Sequence, residues 1–139
     1  MTRAFLDTNI LLYSISRAPD EQKKRERAIE LIDRSDVTLS VQVLQEFYVQ
    51  ATRPSRTDRL PHDIATRLIR TWTRFQIQEI TLPVLWGALE IKAAHTLSYW
   101  DSAIVSAARA LGCDTLYSED LNHGQVIENI VVTNPFRAL

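Results

Sequence analysis

Four acidic side chains, Asp7, Glu46, Asp101 and Asp120, are the residues of this chain best suited to do chemistry together. They are scattered in sequence, yet two directly follow hydrophobic, strand-like runs: Ala4-Phe5-Leu6 leads into Asp7, and Leu116-Tyr117-Ser118-Glu119 leads into Asp120. A carboxylate at the carboxyl end of a parallel strand faces the crevice in which open α/β sheets bind ligands. Several carboxylates gathered there repel one another unless a cation neutralises them. All-oxygen donors favour hard cations, so the expected cofactor is Mg²⁺ or Mn²⁺, one or two ions, and the expected chemistry is that of phosphates. No nucleophilic triad competes with this reading. Cys113 is the only cysteine, and the three histidines lack ligand spacing.

The acids must be positioned by alternating strands and helices. Short strands are expected at residues 3–6, 37–40, 76–81 and 115–117, with a short fifth at 131–132. Helices are expected from Thr8-Asn9 through Tyr13, then at 20–34, 41–52, 64–75, 84–96 and 99–111. Asp7, Thr8 and Asn9 are N-cap types, Pro83 suits a first helical turn, and Gly112 suits a C-cap. Ile64, Ala65, Leu68, Ile69, Trp72 and Phe75 share one apolar face. Such alternation implies parallel pairing with helices on both faces: a three-layer α/β/α sandwich around a mostly parallel sheet of four or five strands. Where strand order reverses, the runs ending at Asp7 and Asp120 are the natural pair to flank the crevice.

The 139 residues suit a single domain spanning 1–139, and no repeat or composition shift divides it. With 45% hydrophobic and 24% charged residues, a core is affordable without disulfide or metal staples. The formal net charge of −1 excludes bulk basic character, so any nucleic-acid binding must be local. Cys113 reads as a small buried apolar residue. There is no signal-peptide pattern and no apolar stretch near bilayer length, so a cytoplasmic location is expected.

Four segments carry a resemblance. Phe5-Leu6-Asp7-Thr8-Asn9-Ile10-Leu11 resembles the opening of PIN-domain ribonucleases. Ser40 to Phe47, with Glu46, is similar to their second motif. Ser98-Tyr99-Trp100-Asp101-Ser102-Ala103-Ile104 is similar to the third, and Leu116 to Leu121 to the fourth, a Thr/Ser-x-Asp after a strand. The order and the chain length resemble VapC-like toxins of bacterial toxin–antitoxin pairs. The fourth motif departs by having Ser118 where Thr is commoner and an extra acid, Glu119. The resemblance implies a metal-dependent endoribonuclease with Asp7, Glu46, Asp101 and Asp120 as metal ligands, supported by Asn9 and Ser118. It also implies an RNA substrate such as transfer or ribosomal RNA, a homodimer, and a cognate antitoxin whose cationic side chain quiets the acids.

Each residue also has a plainer reading. Asp7 suits an N-cap, compatibly with metal binding. Asn9 is expected to bond Asp7 or the turn, and Ser118 to orient Asp7 or Asp120. Glu46 lies off the apolar face of its helix, as a solvated glutamate would. Asp101 fits a capping box with Ser98, reaching back to it. Arg67, Arg70 and Arg74 share a polar helix face that is either solvated or an RNA-backbone patch. Residues 23–27 read as a solvated face. Trp72 and Trp86 read as core or interface; Trp100 reads as core, with base stacking the alternative. A receiver-type signalling module would need an aspartate ending the third strand and a later strand-end lysine, and both are missing. A haloacid-dehalogenase-like phosphatase would need Asp-x-Asp where Asp7-Thr8-Asn9 stands. A PIN-type module that binds without cutting is the remaining alternative.

Overall fold

A computed structural model describes residues 2–139. Six strands, β1 (Ala4–Leu6), β2 (Val37–Ser40), β3 (Gln76–Gln78), β4 (Thr115–Tyr117), β5 (Val126–Ile127) and β6 (Ile130–Thr133), form one sheet in the order β3-β2-β1-β4-β6-β5. All pairs are parallel except β5 with β6. The helices are α1 (Thr8–Ser14), α2 (Gln22–Ile32), α3 (Val41–Ala51), α4 (His62–Trp72), α5 (Leu82–Ala94) and α6 (Tyr99–Ala110). The chain steps from β1 to β2 to β3 in one direction, then returns across β1 to lay β4 on its other side. Right-handed crossovers therefore put α1 to α4 on one face and α5 with α6 on the other. The helix contacts agree: α1 packs on α2 and α3, α3 on α4, and α5 on α6, while α6 lies over β2, β3 and β6.

The expected sandwich is present, with one strand more than the sequence indicates. β5 escapes a pattern search because two residues show no alternation. It closes a hairpin onto β6 through Glu128 and Asn129, both at positive φ (51° and 65°), as a type I′ turn requires. Helix starts differ by two residues at α4 and α5. Thr81 caps α5, accepting the Val84 N–H at 3.3 Å, and so moves its start ahead of Pro83.

Buried strand residues Phe5, Leu6, Leu39, Leu116 and Val132 form the centre of the core. Ile10, Leu31, Val43 and Phe47 cover it from one side, Ile91, Ile104 and Val105 from the other. Phe47 meets Trp72 edge-on with ring centroids 4.7 Å apart. Cys113 is buried with its sulfur 3.2 Å from the Thr38 hydroxyl, in keeping with the sequence reading. One tryptophan differs from expectation. Trp86 is 60% and Trp100 is 64% exposed, so Trp100 is not a core residue. It precedes a run, Ser102 to Ala108, in which every residue of α6 is buried.

That buried run sets how closely α5 and α6 approach. Gly87 of α5 faces Ser106, whose hydroxyl donates to the Val84 carbonyl at 2.8 Å. A Cβ at Gly87 would stand 2.5 Å from Ser106 Oγ and 2.9 Å from an Arg109 guanidinium nitrogen. Gly87→Ala is expected to lower unfolding stability by about 1–3 kcal/mol, although Ala favours a helix. Adding Ser106→Ala should recover most of the loss, read as a double-mutant cycle in urea unfolding.

Candidate functional site

Asp7 is the residue after β1, and its N–H donates to the Tyr117 carbonyl of β4 at 3.0 Å. It thus sits at the switch point, between the two strands where the chain reverses direction across the sheet. Its carboxylate is 6% exposed and held from two sides. Thr8 N–H donates to Oδ1 at 2.7 Å and the Ser118 hydroxyl donates to Oδ2 at 2.8 Å. The first bond is the N-cap of α1, so capping and exposure to the crevice coexist in one side chain. Burial pushes the Asp7 carboxyl up to about 6 from 3.8, against the lowering effect of the Ser118 and Thr8 bonds. The charges of Asp120 and Glu46 add to the rise.

The neighbouring acids are each held by a residue beside Asp7. Glu46, in the middle of α3, accepts the Thr8 hydroxyl at 2.9 Å. It is not a free surface glutamate. Asp120 Oδ2 accepts Asn9 Nδ2 at 3.1 Å, while the Asp120 N–H donates to Ser118 Oγ at 3.2 Å. Asn9 also accepts the Glu119 N–H through Oδ1 at 3.3 Å. Asn9 thus holds Asp120 and the turn, and Ser118 orients Asp7 and Asp120 together. Asp101 belongs to the first turn of α6, where the Ser98 hydroxyl accepts its N–H at 3.1 Å. The reciprocal bond of a capping box is absent among the described residues. Its carboxylate makes no hydrogen bond or ion pair there either. The tie between α6 and α3 is Gln42 Nε2, which donates to the Trp100 carbonyl at 3.2 Å.

Glu119 is drawn out of this group. Tyr13 and Lys24 bind its two carboxylate oxygens, each at 2.5 Å. Lys24 lies over the Tyr13 ring, 4.8 Å from its centroid, and Tyr13 packs edge-on against Phe136. The 23–27 face is therefore not wholly solvated: Lys24 belongs to this latch. His123 accepts the Asn134 N–H through Nδ1 at 3.0 Å and has a structural partner. Arg67 and Arg70 are exposed on α4. Arg74 lies over the Phe75 ring and lines a depression with Thr2, Arg3, Asp36 and Gln76, at the amino-terminal ends of the strands. That is the end of the sheet opposite the acids.

The donors around Asp7 are all oxygens. Among the described residues no three acidic, histidine or cysteine side chains are grouped closely enough to hold an ion between them. Mg²⁺ does not require such a group, since it is commonly held by one or two carboxylates with waters and substrate phosphates. A buried carboxyl that resists ionisation is also a group that a nearby cation would favour in its charged form. The residues fit a hydrated divalent ion. Sequence reasoning missed Thr8, Tyr13 and Lys24. Thr8 looked only like a cap residue, and its service to Glu46 spans 38 positions, which no local signal reveals.

A family model described as PIN domain matches residues 4–128. Among solved structures, the chain is similar to Mycobacterium tuberculosis VapC20, a sarcin-ricin loop cleaving toxin. The TM-score is 0.66 at 20% identity, covering 84% of this chain and 89% of that one. It is similar to a toxin–antitoxin complex from Klebsiella pneumoniae, with a TM-score of 0.69 at 18% identity over 96% and 98% of the two chains. It is also similar to VapBC2 from Rickettsia felis bound to a DNA fragment from their promoter. There the TM-score is 0.66 at 18% identity over 94% and 97%. Among curated proteins none matches the chain by sequence.

The raised Asp7 carboxyl has a stability signature. It favours the folded state while protonated, so its contribution is complete below about pH 4 and lost as pH rises through about 6. Asp7→Asn removes the charge and keeps one acceptor oxygen, with an amide N–H₂ in place of the other. In metal-free buffer, its stability relative to wild type should therefore increase by about 2 kcal/mol between pH 4 and 7.5. Urea unfolding across that range is the measurement, and parallel curves would remove the buried-acid assignment.

Proposed function

This chain belongs to the PIN domain family, and on that premise we propose that it is a metal-dependent endoribonuclease, the toxin of a VapBC-type toxin–antitoxin pair that inhibits translation. The observation that carries the reading is the shared support of the acids. Thr8 serves Asp7 and Glu46, Ser118 serves Asp7 and Asp120, and Asn9 serves Asp120. Buried carboxyls with raised pKa gather at functional sites. The similar structures support the toxin reading through what they are, an RNA-cleaving toxin and toxin–antitoxin complexes.

Asp7, Glu46, Asp101 and Asp120 would hold one or two Mg²⁺ or Mn²⁺ ions. A divalent ion supplies Lewis acidity there, making water acidic enough to attack a phosphodiester at neutral pH and offsetting charge on the leaving oxygen. The chain's own part is orientation. Two fixed hydrogen bonds leave Asp7 a single carboxylate direction, and Thr8 sets Glu46 relative to it. Asp101 stands uncommitted at the start of a helix whose next seven residues are buried, so its backbone is rigid while its carboxylate is available. The partners of this reading are an RNA substrate, a second copy in a homodimer, and an antitoxin that presents a cation to the acids. Cytoplasmic action goes with that substrate. Among the described residues no helix is long and apolar enough to cross a membrane.

The alternative, a PIN-type module that binds RNA without cutting it, gives no role to the uncommitted Asp101. The two readings part on simple variants. Asp7→Asn and Asp101→Asn should lose Mg²⁺-dependent RNA cleavage by ~100-fold or more with unchanged circular dichroism. Glu119→Gln, engaged with Lys24 and Tyr13 instead, should stay within about threefold of wild type, as a partly exposed ion pair carries little energy. Cleavage by Asp7→Asn and Asp101→Asn at the wild-type rate would leave only the binding module.

A further inference from the structure

Trp100 is a large aromatic side chain left in solvent beside the acids, 64% exposed. It is the second residue of α6, and its ring stands edge-on to Tyr99 with centroids 5.1 Å apart. The indole lines a groove of about 340 Å³ with Gln42, Gln45, Glu46, Val49, Gln50 and Arg53. These six stand at i, i+3, i+4, i+7, i+8 and i+11, one stripe of α3 running just past its end. Glu46 belongs both to this stripe and to the group of acids, through its bond from Thr8. The groove is therefore an extension of the candidate site, and its volume falls in the range of ligand pockets, ~300–1,000 Å³.

We infer that this groove takes an unpaired RNA base adjacent to the cleaved phosphate, stacked on Trp100. The inference rests on the ribonuclease reading and adds to it a residue, Trp100, that holds the substrate beside the acids. The chemistry of the lining favours a base over a protein partner. An indole face accepts the π-face of any base. Gln42, Gln45 and Gln50 each carry an amide that both donates and accepts, as the edges of bases do. They are neutral, so they add no repulsion to that which the acids exert on a phosphate. Arg53 supplies one positive charge at the far end of the stripe, where a neighbouring phosphate would lie. Trp100 also borders a second groove with Ile80, Leu82 and Leu85, and Val49 adds exposed apolar area, so a protein occupant is the rival that the oligomeric-state arm of the test separates.

The test uses the full chain with a fluorescein-labelled single-stranded RNA of mixed sequence and the fully paired duplex of the same strand, in EDTA so that nothing is cut. The single strand is expected to quench tryptophan emission. Trp100→Ala should bind it about 5- to 150-fold more weakly by anisotropy. Trp100→Phe, still a flat ring, should bind as wild type and lose the quench. Equal binding by wild type and Trp100→Ala, an unquenched wild type, or a preference for the duplex overturns the inference. So does a Trp100→Ala variant that turns a dimer into a monomer with RNA affinity unchanged, because a second copy then covers the indole. Turnover in Mg²⁺ separates this from the nuclease reading. Trp100→Ala should raise KM and spare kcat, whereas a wild type that binds through Trp100 and never cuts would remove the nuclease and keep the base site.

Discussion

A carboxylate buried at the point where the sheet changes direction is the constraint around which this domain is arranged. Withdrawing Asp7 from water is costly, and the fold offsets the cost with two short hydrogen bonds, from Thr8 and Ser118. Those two donors are committed beyond Asp7. The Thr8 side chain continues to Glu46, and Ser118 continues to the backbone of Asp120. Satisfying one buried acid thus fixes the positions of two others. Hydrogen bonding, sheet topology and the placement of the charged groups are here one arrangement.

The same economy explains the fate of Glu119. An acid next to Asp120 would be expected to crowd the group, yet the strand-end geometry turns it the other way, toward α1 and α2. Glu119 and Asp120 lie in the bend that follows β4, where neighbouring side chains can part. Lys24 and Tyr13 then draw a second carboxylate away from the crevice and, through Phe136, fasten the end of the chain to the same latch.

Much of this was legible in the sequence, and what was not has physical causes. The strand-end positions of Asp7 and Asp120 follow from hydrophobic runs that stop at a polar residue, and the reversal between β1 and β4 follows from the alternation of elements. By periodicity alone Glu46 read as solvated, since a period reports only which face is apolar, and it was the resemblance that set it among the acids. Trp100 read as core because it abuts an apolar helix, but a first-turn residue can overhang the packed layer, and α6 is buried on too many sides for its pattern to point anywhere. The β5 hairpin and Arg74 show the other limit. Two residues give no period, and a shared helical face says nothing of which end of the sheet it overlooks.

β1 is the first strand and β4 the fourth, and the bond between Ser118 and Asp7 closes a span of 111 positions. The centre of the sheet is thus completed by a late segment of the chain, inserted between strands of very different age during synthesis. Contacts of such long range form slowly and depend on everything between them being in place. A growing chain carries its first acid from the outset, but the cup has no second wall until β4 docks. The acids are therefore brought together only once β4 is in place, and any fragment ending before that strand carries the motif without its far side.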